Sequence, residues 1–173
     1  PEDAKIFDSS GKSVCRDIQV LNTDPITLSK GKYKHFMEKE IFEQPEVISQ
    51  VLGFYFNASK ETLTLPPLPK SSEIKRIILI GCGTAFYSCL VARYWFESLS
   101  GVPTHAELAS EFRYRSPVIS ADDLLIFVSQ SGETADTIGA LRFAKGHTKN
   151  ILAIVNVEQS SIARESTWVF PTK

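Results

Sequence analysis

The stretch Leu124-Leu125-Ile126-Phe127-Val128-Ser129-Gln130-Ser131-Gly132-Glu133-Thr134-Ala135-Asp136-Thr137 decides how this chain is read. Its first five residues are a continuous apolar run of strand type. A helical pattern follows over residues 134–145, with Ile138, Leu141 and Ala144 on one side. Three hydroxyls (Ser129, Ser131, Thr134), the Gln130 amide and Gly132 therefore crowd one strand-to-helix turn.

Outward from this turn the same alternation recurs. Residues 76–80 read as a buried strand, 86–99 as a helix, 104–108 as a short strand and 110–115 as a helical turn begun by Ser110. Residues 151–155 read as another strand, 160–165 as helical and 168–170 as the start of a further strand. Continuous apolar strands alternating with helices predict an α/β fold: a doubly wound parallel sheet covered by helices on both faces. In such a sheet the turns that follow the strands gather at one carboxyl edge, where ligands bind.

The remainder is organised differently. Residues 1–24 read as a tail, with Lys5-Ile6-Phe7 and Val14-Cys15 flanking a hairpin turn, Asp8-Ser9-Ser10-Gly11-Lys12. Such a hairpin is marginal alone and is expected to finish the sheet of a preceding domain. Residues 33–51 carry Phe36, Ile41, Phe42, Val47, Ile48 and Val51 at helical spacing, and Pro45 predicts a kink or a break there. Residues 58–73, with Pro66-Pro67-Leu68-Pro69 and Ser71-Ser72, have linker composition. The expected division is thus 1–24, a helical linker segment over 25–73, and a main domain over 74–173. The chain begins at Pro1 rather than Met and ends at Lys173 just after an apolar run, which reads as a piece cut from a longer protein.

Composition narrows the function classes. Of 173 residues 43% are hydrophobic, enough for a real core. Net charge is −1 and the pI about 6.4, so no basic field invites nucleic acid. Three cysteines without paired spacing fit a reducing, cytoplasmic compartment better than a disulfide framework. Cys82 and Cys89 lack zinc spacing, and His35, His105 and His147 lie far apart. No run is long and apolar enough to span a membrane as a helix.

Two turns remain as candidate sites. A helix N-terminus presents unpaired N–H groups and a partial positive charge, a ready place for a phosphate. At 129–134, Ser129, Ser131 and Thr134 add hydroxyls, Gln130 adds an amide, and Gly132 lets the backbone come close. Glu133 is expected to face away, since a carboxylate aimed inward would repel an anion. The competing reading is capping, with Ser131 as N-cap; capping needs one hydroxyl rather than three. Dense donors without a Walker lysine suit a monophosphate. The other turn is Gly81-Cys82-Gly83-Thr84-Ala85. Either its glycines permit close packing of strand and helix, or its bare backbone and Thr84 line a pocket. A dinucleotide fingerprint is incomplete, because Phe86 and Tyr87 stand where a third glycine is needed. Cys82 has no neighbouring base in sequence and reads as a small buried residue. Glu111-Phe112-Arg113-Tyr114-Arg115 reads as a solvated or subunit-facing helix. The 86–99 helix, with Phe86, Cys89, Leu90, Trp95, Phe96 and Leu99, is apolar nearly all round and belongs in a core or at a partner interface.

"GCGTAFYSCLVARYWFESLSGVP", "ELASEFRYR", "SQSGETADT" and "NVEQSSIARES" together resemble the first sugar isomerase (SIS) domain of the glucosamine-6-phosphate synthase family, the isomerising glutamine–fructose-6-phosphate aminotransferases. "SKGKYKHFMEKEIFEQPEVI" is similar to the family's segment between its glutaminase and isomerase parts, and "IFDSSGKSVCRDIQ" to the end of its glutaminase domain. The resemblance implies an α/β/α sandwich that binds fructose 6-phosphate. It implies that Ser129, Gln130, Ser131 and Thr134 hold the phosphate, and that Thr84, with Gly83 beside it, lines the sugar site. It also implies no metal or nicotinamide cofactor, and a homodimer. Its catalytic lysine, glutamate and histidine would belong to a second SIS domain, and the ammonia-releasing cysteine to the glutaminase domain, so no catalytic residue is assigned within this chain. Where the family usually has Ser, this chain has Ala85, one sugar contact fewer. Two other readings stand beside this one: a regulatory module that senses a phosphosugar without chemistry, and a nicotinamide oxidoreductase, which the missing third glycine disfavours.

Overall fold

The computed structural model describes residues 5–15 and 29–172, which fall into two compact units, Pro1–Pro45 and Glu46–Lys173. The boundary expected at residues 24 and 25 lies outside the described residues. In the first unit, β1 (Ile6–Phe7) and β2 (Ser13–Val14) pair antiparallel, as the sequence predicts. Asp8 closes their turn, its carboxylate accepting from the N–H groups of Ser10 at 2.9 Å and Lys12 at 3.0 Å. Helix α1 (Phe36–Tyr55) starts and ends later than expected and contains Pro45. Of the kink or break expected there, the break does not occur, since the helix is continuous over Phe36–Tyr55. Proline removes one hydrogen bond, and the helix carries that loss over 20 residues.

In the second unit the stretch read as linker holds a small hairpin, β3 (Phe56–Asn57) and β4 (Thr62–Leu63). Two residues per strand leave no periodicity to read, and Asn57 makes the turn by accepting from Lys60 N–H at 3.1 Å. A short 3₁₀ turn (Ser71–Glu73) leads into the main sheet.

That sheet has five parallel strands: β5 (Arg76–Gly81), β6 (Thr104–Leu108), β7 (Asp123–Ser129), β8 (Ile151–Val155) and β9 (Trp168–Pro171). Their spatial order is β6-β5-β7-β8-β9. Between them run α2 (Thr84–Ser100), α3 (Ala109–Phe112), α4 (Ala135–Ala144) and α5 (Ser161–Glu165). Alternating strand residues feed two cores. Ile78, Ile80, Leu125, Phe127 and Val155 pack with Phe112 of α3, Leu141 of α4 and Ile162 of α5. Ile77, Leu79, Leu124, Ile126 and Leu152 pack with Cys89 of α2. The split follows from topology. The crossover through α2 leads one way from β5 and the crossover through α4 leads the other way from β7, so connections of one hand place the two helices on opposite faces. Each large apolar side chain buried this way contributes about 1.5–3 kcal/mol.

Two local expectations change. Helix α3 begins at Ala109 behind Leu108, so Ser110 lies inside it and does not start it. Phe112 is wholly buried, so its segment is not merely a solvated or subunit-facing helix. The chain turns there to drive Phe112 into the core beside Phe143.

The amino edge of the sheet is fixed by charge. Arg76 Nε donates to Asp123 Oδ1 at 3.0 Å and Ser120 N–H donates to Oδ2 at 2.6 Å. The Asp123 side chain is buried, and its hydrogen bond raises the Arg76 pKa further. This pair locks the start of β5 to the start of β7.

Candidate functional site

The strand order places a topological switch between β5 and β7. From β5 the chain leaves toward β6; from β7 it leaves the opposite way, toward β8 and β9. Sheets of this kind bind ligands in the crevice at the carboxyl ends of the two strands beside the switch. Those ends carry the two turns singled out in the sequence. The register, with Ile80 opposite Phe127, sets them side by side.

After β7, the reading of Ser131 as N-cap is corrected. Thr134 occupies the N-cap position, and its side chain makes no capping hydrogen bond. The first helical bond of α4 is Ile138 N–H to Thr134 O at 2.9 Å. The N–H groups of Ala135, Asp136 and Thr137 precede that bond, as the first donors of any helix do. The shift has a local cause: Gly132 takes a left-handed φ of 64°, which turns the chain before the helix can begin.

The hydroxyls are organised by the backbone. Ser131 Oγ accepts from Glu133 N–H at 3.2 Å, which leaves its own proton to donate. Ser129 Oγ accepts from Gly132 N–H at 3.1 Å and lies 3.3 Å from Thr134 Oγ1, so one proton of that pair also remains to donate. Gln130 and Ser131 are exposed and Thr134 is half-buried. Ser129 is only 4% exposed and braces the turn from beneath. Together these groups can bind an anion through hydroxyls, an amide and backbone N–H groups, with no cation required.

Glu133 is turned to other work, in keeping with its expected outward orientation. Its Oε1 accepts from Ser161 N–H at 2.6 Å. That backbone donor, then the Ser161 hydroxyl, then the charge of Arg164, hold the Glu133 carboxyl below the usual glutamate range.

After β5 the close-packing reading holds for one glycine, Gly81. A Cβ on Gly81 would lie 3.0 Å from the Ala85 carbonyl carbon and the Phe86 nitrogen, so Gly81 serves close packing of strand and helix. Gly83 has φ of 55°, and a Cβ there would meet nothing within 4 Å. Gly83 caps α2 without a side-chain bond, and Gly83 and Thr84 are both exposed, facing open space. Cys82 is half-buried against the core, and burial pushes the Cys89 thiol up to about 11, which makes Cys89 inert near neutral pH.

Sequence reasoning missed the loop after β8. Asn156 N–H donates to Gln130 O and Ile162 N–H to Gly132 O, each at 3.1 Å. Ser160 caps α5 and packs against Gly132. The only local signal was the Ser160-Ser161 pair ahead of a short helix. Elsewhere, an apolar cavity of about 380 Å³ lies on the α2 face, lined by Ile77, Leu124, Ile126, Leu152 and Phe170 among others; no residue of either turn lines it. Among the described residues no group of three or more His, Cys, Asp or Glu side chains is placed to hold a metal, and no helix is long and apolar enough to cross a membrane.

Known proteins resemble this arrangement closely. The chain is 47% identical to the isomerising glutamine–fructose-6-phosphate aminotransferase of Bartonella quintana, over 99% of this chain and 28% of that protein. It is also 47% identical to the enzyme of the same name from Bradyrhizobium diazoefficiens, over 98% of this chain and 28% of that protein. The chain therefore spans 28% of the length of these curated relatives. Among solved structures, the C-terminal domain of glucosamine-fructose-6-phosphate aminotransferase from Francisella tularensis superposes with a TM-score of 0.74 at 40% identity, covering 84% of this chain and 41% of that one. A glucosamine-6-phosphate deaminase from Thermotoga maritima, at 22% identity and a TM-score of 0.65 over 80% of this chain and 40% of that one, shares the fold. The SIS domain model matches residues 72–173, the whole five-stranded sheet with both turns, and the chain belongs to the SIS domain family.

Proposed function

We propose that this chain is the sugar-phosphate-holding part of an isomerising glutamine–fructose-6-phosphate aminotransferase, which converts fructose 6-phosphate and glutamine to glucosamine 6-phosphate and glutamate. The observation that carries the reading is the α4 N-terminus. Thr134 does not cap it, three hydroxyls and an amide surround it, and it stands beside the switch between β5 and β7. In this reading Gln130, Ser131 and Thr134 bind the phosphate, with Ser129 beneath them and the N–H groups of residues 135–137 completing the cradle. Thr84 and the bare backbone of Gly83 face the sugar. Ala85 offers no hydroxyl there.

The proposed division is a glutaminase-domain tail over 1–24, a helical linker over 25–73 and the first SIS domain over 74–173. A second SIS domain and a glutaminase domain of the same protein supply the chemistry. General acid–base steps need a group poised to exchange protons. In the two turns the ionised side chain is Glu133, and it is engaged with Ser161 N–H. A cytoplasmic location fits three unpaired cysteines. A homodimer fits the exposed stripe Tyr87, Val91, Tyr94, Trp95 and Leu99 along α2.

Titration calorimetry tests the assignment. Fructose 6-phosphate should give heat at millimolar concentration, and inorganic phosphate should compete. In an assay for glucosamine 6-phosphate, with glutamine or an ammonium salt, the chain alone should give no turnover. Absence of heat contradicts the binding role; turnover contradicts the division of labour.

A further inference from the structure

The phosphate turn is held from outside by the loop that follows β8. Gln130 O accepts from Asn156 N–H and Gly132 O from Ile162 N–H, both at 3.1 Å, while Glu133 Oε1 accepts from Ser161 N–H at 2.6 Å. Opposite Gly132 stands Ser160, so close that a Cβ on residue 132 would fall 2.0 Å from Ser160 Oγ. Ser160 is fixed in its turn: it is buried, and its Oγ accepts from Ala163 N–H at 3.4 Å. Between turn and loop, two hydrogen bonds run backbone to backbone, and the side-chain link is made by the Glu133 carboxylate, which takes Ser161 N–H and the Ser161 hydroxyl. Glu133 is exposed, so packing does not hold its carboxylate. The bond to Ser161 does.

The place of Glu133 in the turn gives that bond leverage. Its own N–H donates to Ser131 Oγ, and the next residue, Thr134, is the N-cap of α4. A movement of the Glu133 backbone would shift the Ser131 hydroxyl and the first N–H groups of the helix together. We infer that Glu133 is a positioning residue for the phosphate turn: its carboxylate, held on Ser161 N–H, fixes the backbone between Ser131 and Thr134 and keeps its charge occupied away from the bound anion. It touches no substrate and moves no proton. This inference rests on the phosphate assignment proposed above.

The test uses calorimetry on the full 173-residue chain, with inorganic phosphate and with fructose 6-phosphate, alongside melting temperatures. Glu133→Ala should weaken both ligands about tenfold, the effect of one charge-assisted hydrogen bond, with at most a small fall in melting temperature. Glu133→Gln should bind like the parent, because its amide oxygen can accept the same N–H. Thr134→Ala serves as the control on the phosphate site. If Thr134→Ala weakens phosphate binding and Glu133→Ala does not, the positioning role fails while the site stands. If neither weakens it, both fail. If Ala and Gln at 133 both tighten phosphate, the carboxylate merely repels the anion, and the positioning role is overturned. A fall in melting temperature and affinity together in Glu133→Ala, unrescued by Gln, would make Glu133 a structural residue and also overturn it.

Discussion

The turn after β5 and the turn after β7 occupy equivalent places in the sheet and are built in opposite ways. Both follow central parallel strands, and both contain a glycine of positive φ, Gly83 at 55° and Gly132 at 64°. Around Gly83 lies open space, and the nearest reason for a glycine is two residues earlier, where Gly81 meets α2. Around Gly132 the space is already taken by Ser160. The first turn faces open space at Gly83. The second is a cradle with hydroxyls on its inside and a second layer, residues 156–162, behind it. A glycine after a strand therefore says little by itself. Donor density in front and fixed support behind distinguish the proposed anion site from a packing turn.

The largest expected effect comes from the opposite edge and tests whether the two ends of the sheet are separable. Asp123→Ala leaves Arg76 without its buried partner. It should cost about 3 kcal/mol of stability, read by urea unfolding. Phosphate affinity of the folded variant should not change; a loss would show that the cradle depends on the amino edge.

Next comes the direct contrast of the two glycines. Gly132→Ala must place a Cβ on Ser160 in a left-handed backbone, with an expected cost of roughly 2–3 kcal/mol and a large loss of phosphate binding. Gly83→Ala meets open space and should cost about 1–2 kcal/mol, the backbone penalty alone. Unfolding curves for the pair check this. Equal costs would abolish the contrast.

Side chains come third. Thr134→Ala or Ser131→Ala should weaken phosphate binding by about 1.5–3 kcal/mol, roughly ten- to more than a hundredfold. Ala85→Ser should change it less, because residue 85 lies on the proposed sugar side. If affinity ignores both hydroxyls, they serve the fold alone.

The smallest effect is a titration. Ser161 N–H stabilises the charged form of Glu133, so this carboxyl should titrate below the ordinary glutamate range. With the folded pKa depressed, the contact is fully present above the unfolded pKa and is lost as pH falls through the folded one. Carboxyl carbon shifts followed by NMR would read it directly; an ordinary value would mean that the contact does not persist in solution.

Much of the fold was legible because it is locally encoded. The buried strands β5, β7 and β8 are uninterrupted apolar runs, and β8 was read with the bounds it has. The hairpin of β3 and β4 was not legible, since two-residue strands carry no period. Nor was the continuity of α1 through Pro45, where a local penalty is outweighed by the turns on either side. At the site, the residues that crowd the turn could be named from sequence, and their grouping at one edge follows from a parallel sheet. The position of the switch could not, because strand order is set by packing between elements remote in sequence. The helix read from residue 134 begins at Ala135, and the competing N-cap, Ser131, is replaced by Thr134, behind the left-handed turn at Gly132. The clamp from Asn156, Ser160, Ser161 and Ile162 joins segments more than twenty residues apart, and no local pattern announces such contacts.

The contrast between the turns is tested most directly by amide NMR shifts of the ¹⁵N-labelled chain during titration with inorganic phosphate and then with fructose 6-phosphate. Phosphate alone should move the N–H signals of residues 131–137 and leave those of Thr84 and Ala85 in place. The sugar phosphate should move both sets, since its phosphate would sit on α4 and its carbon chain would reach the open space at Gly83. Shifts at Thr84 and Ala85 with phosphate alone, or none at residues 131–137 with either ligand, would contradict the assignment of the cradle.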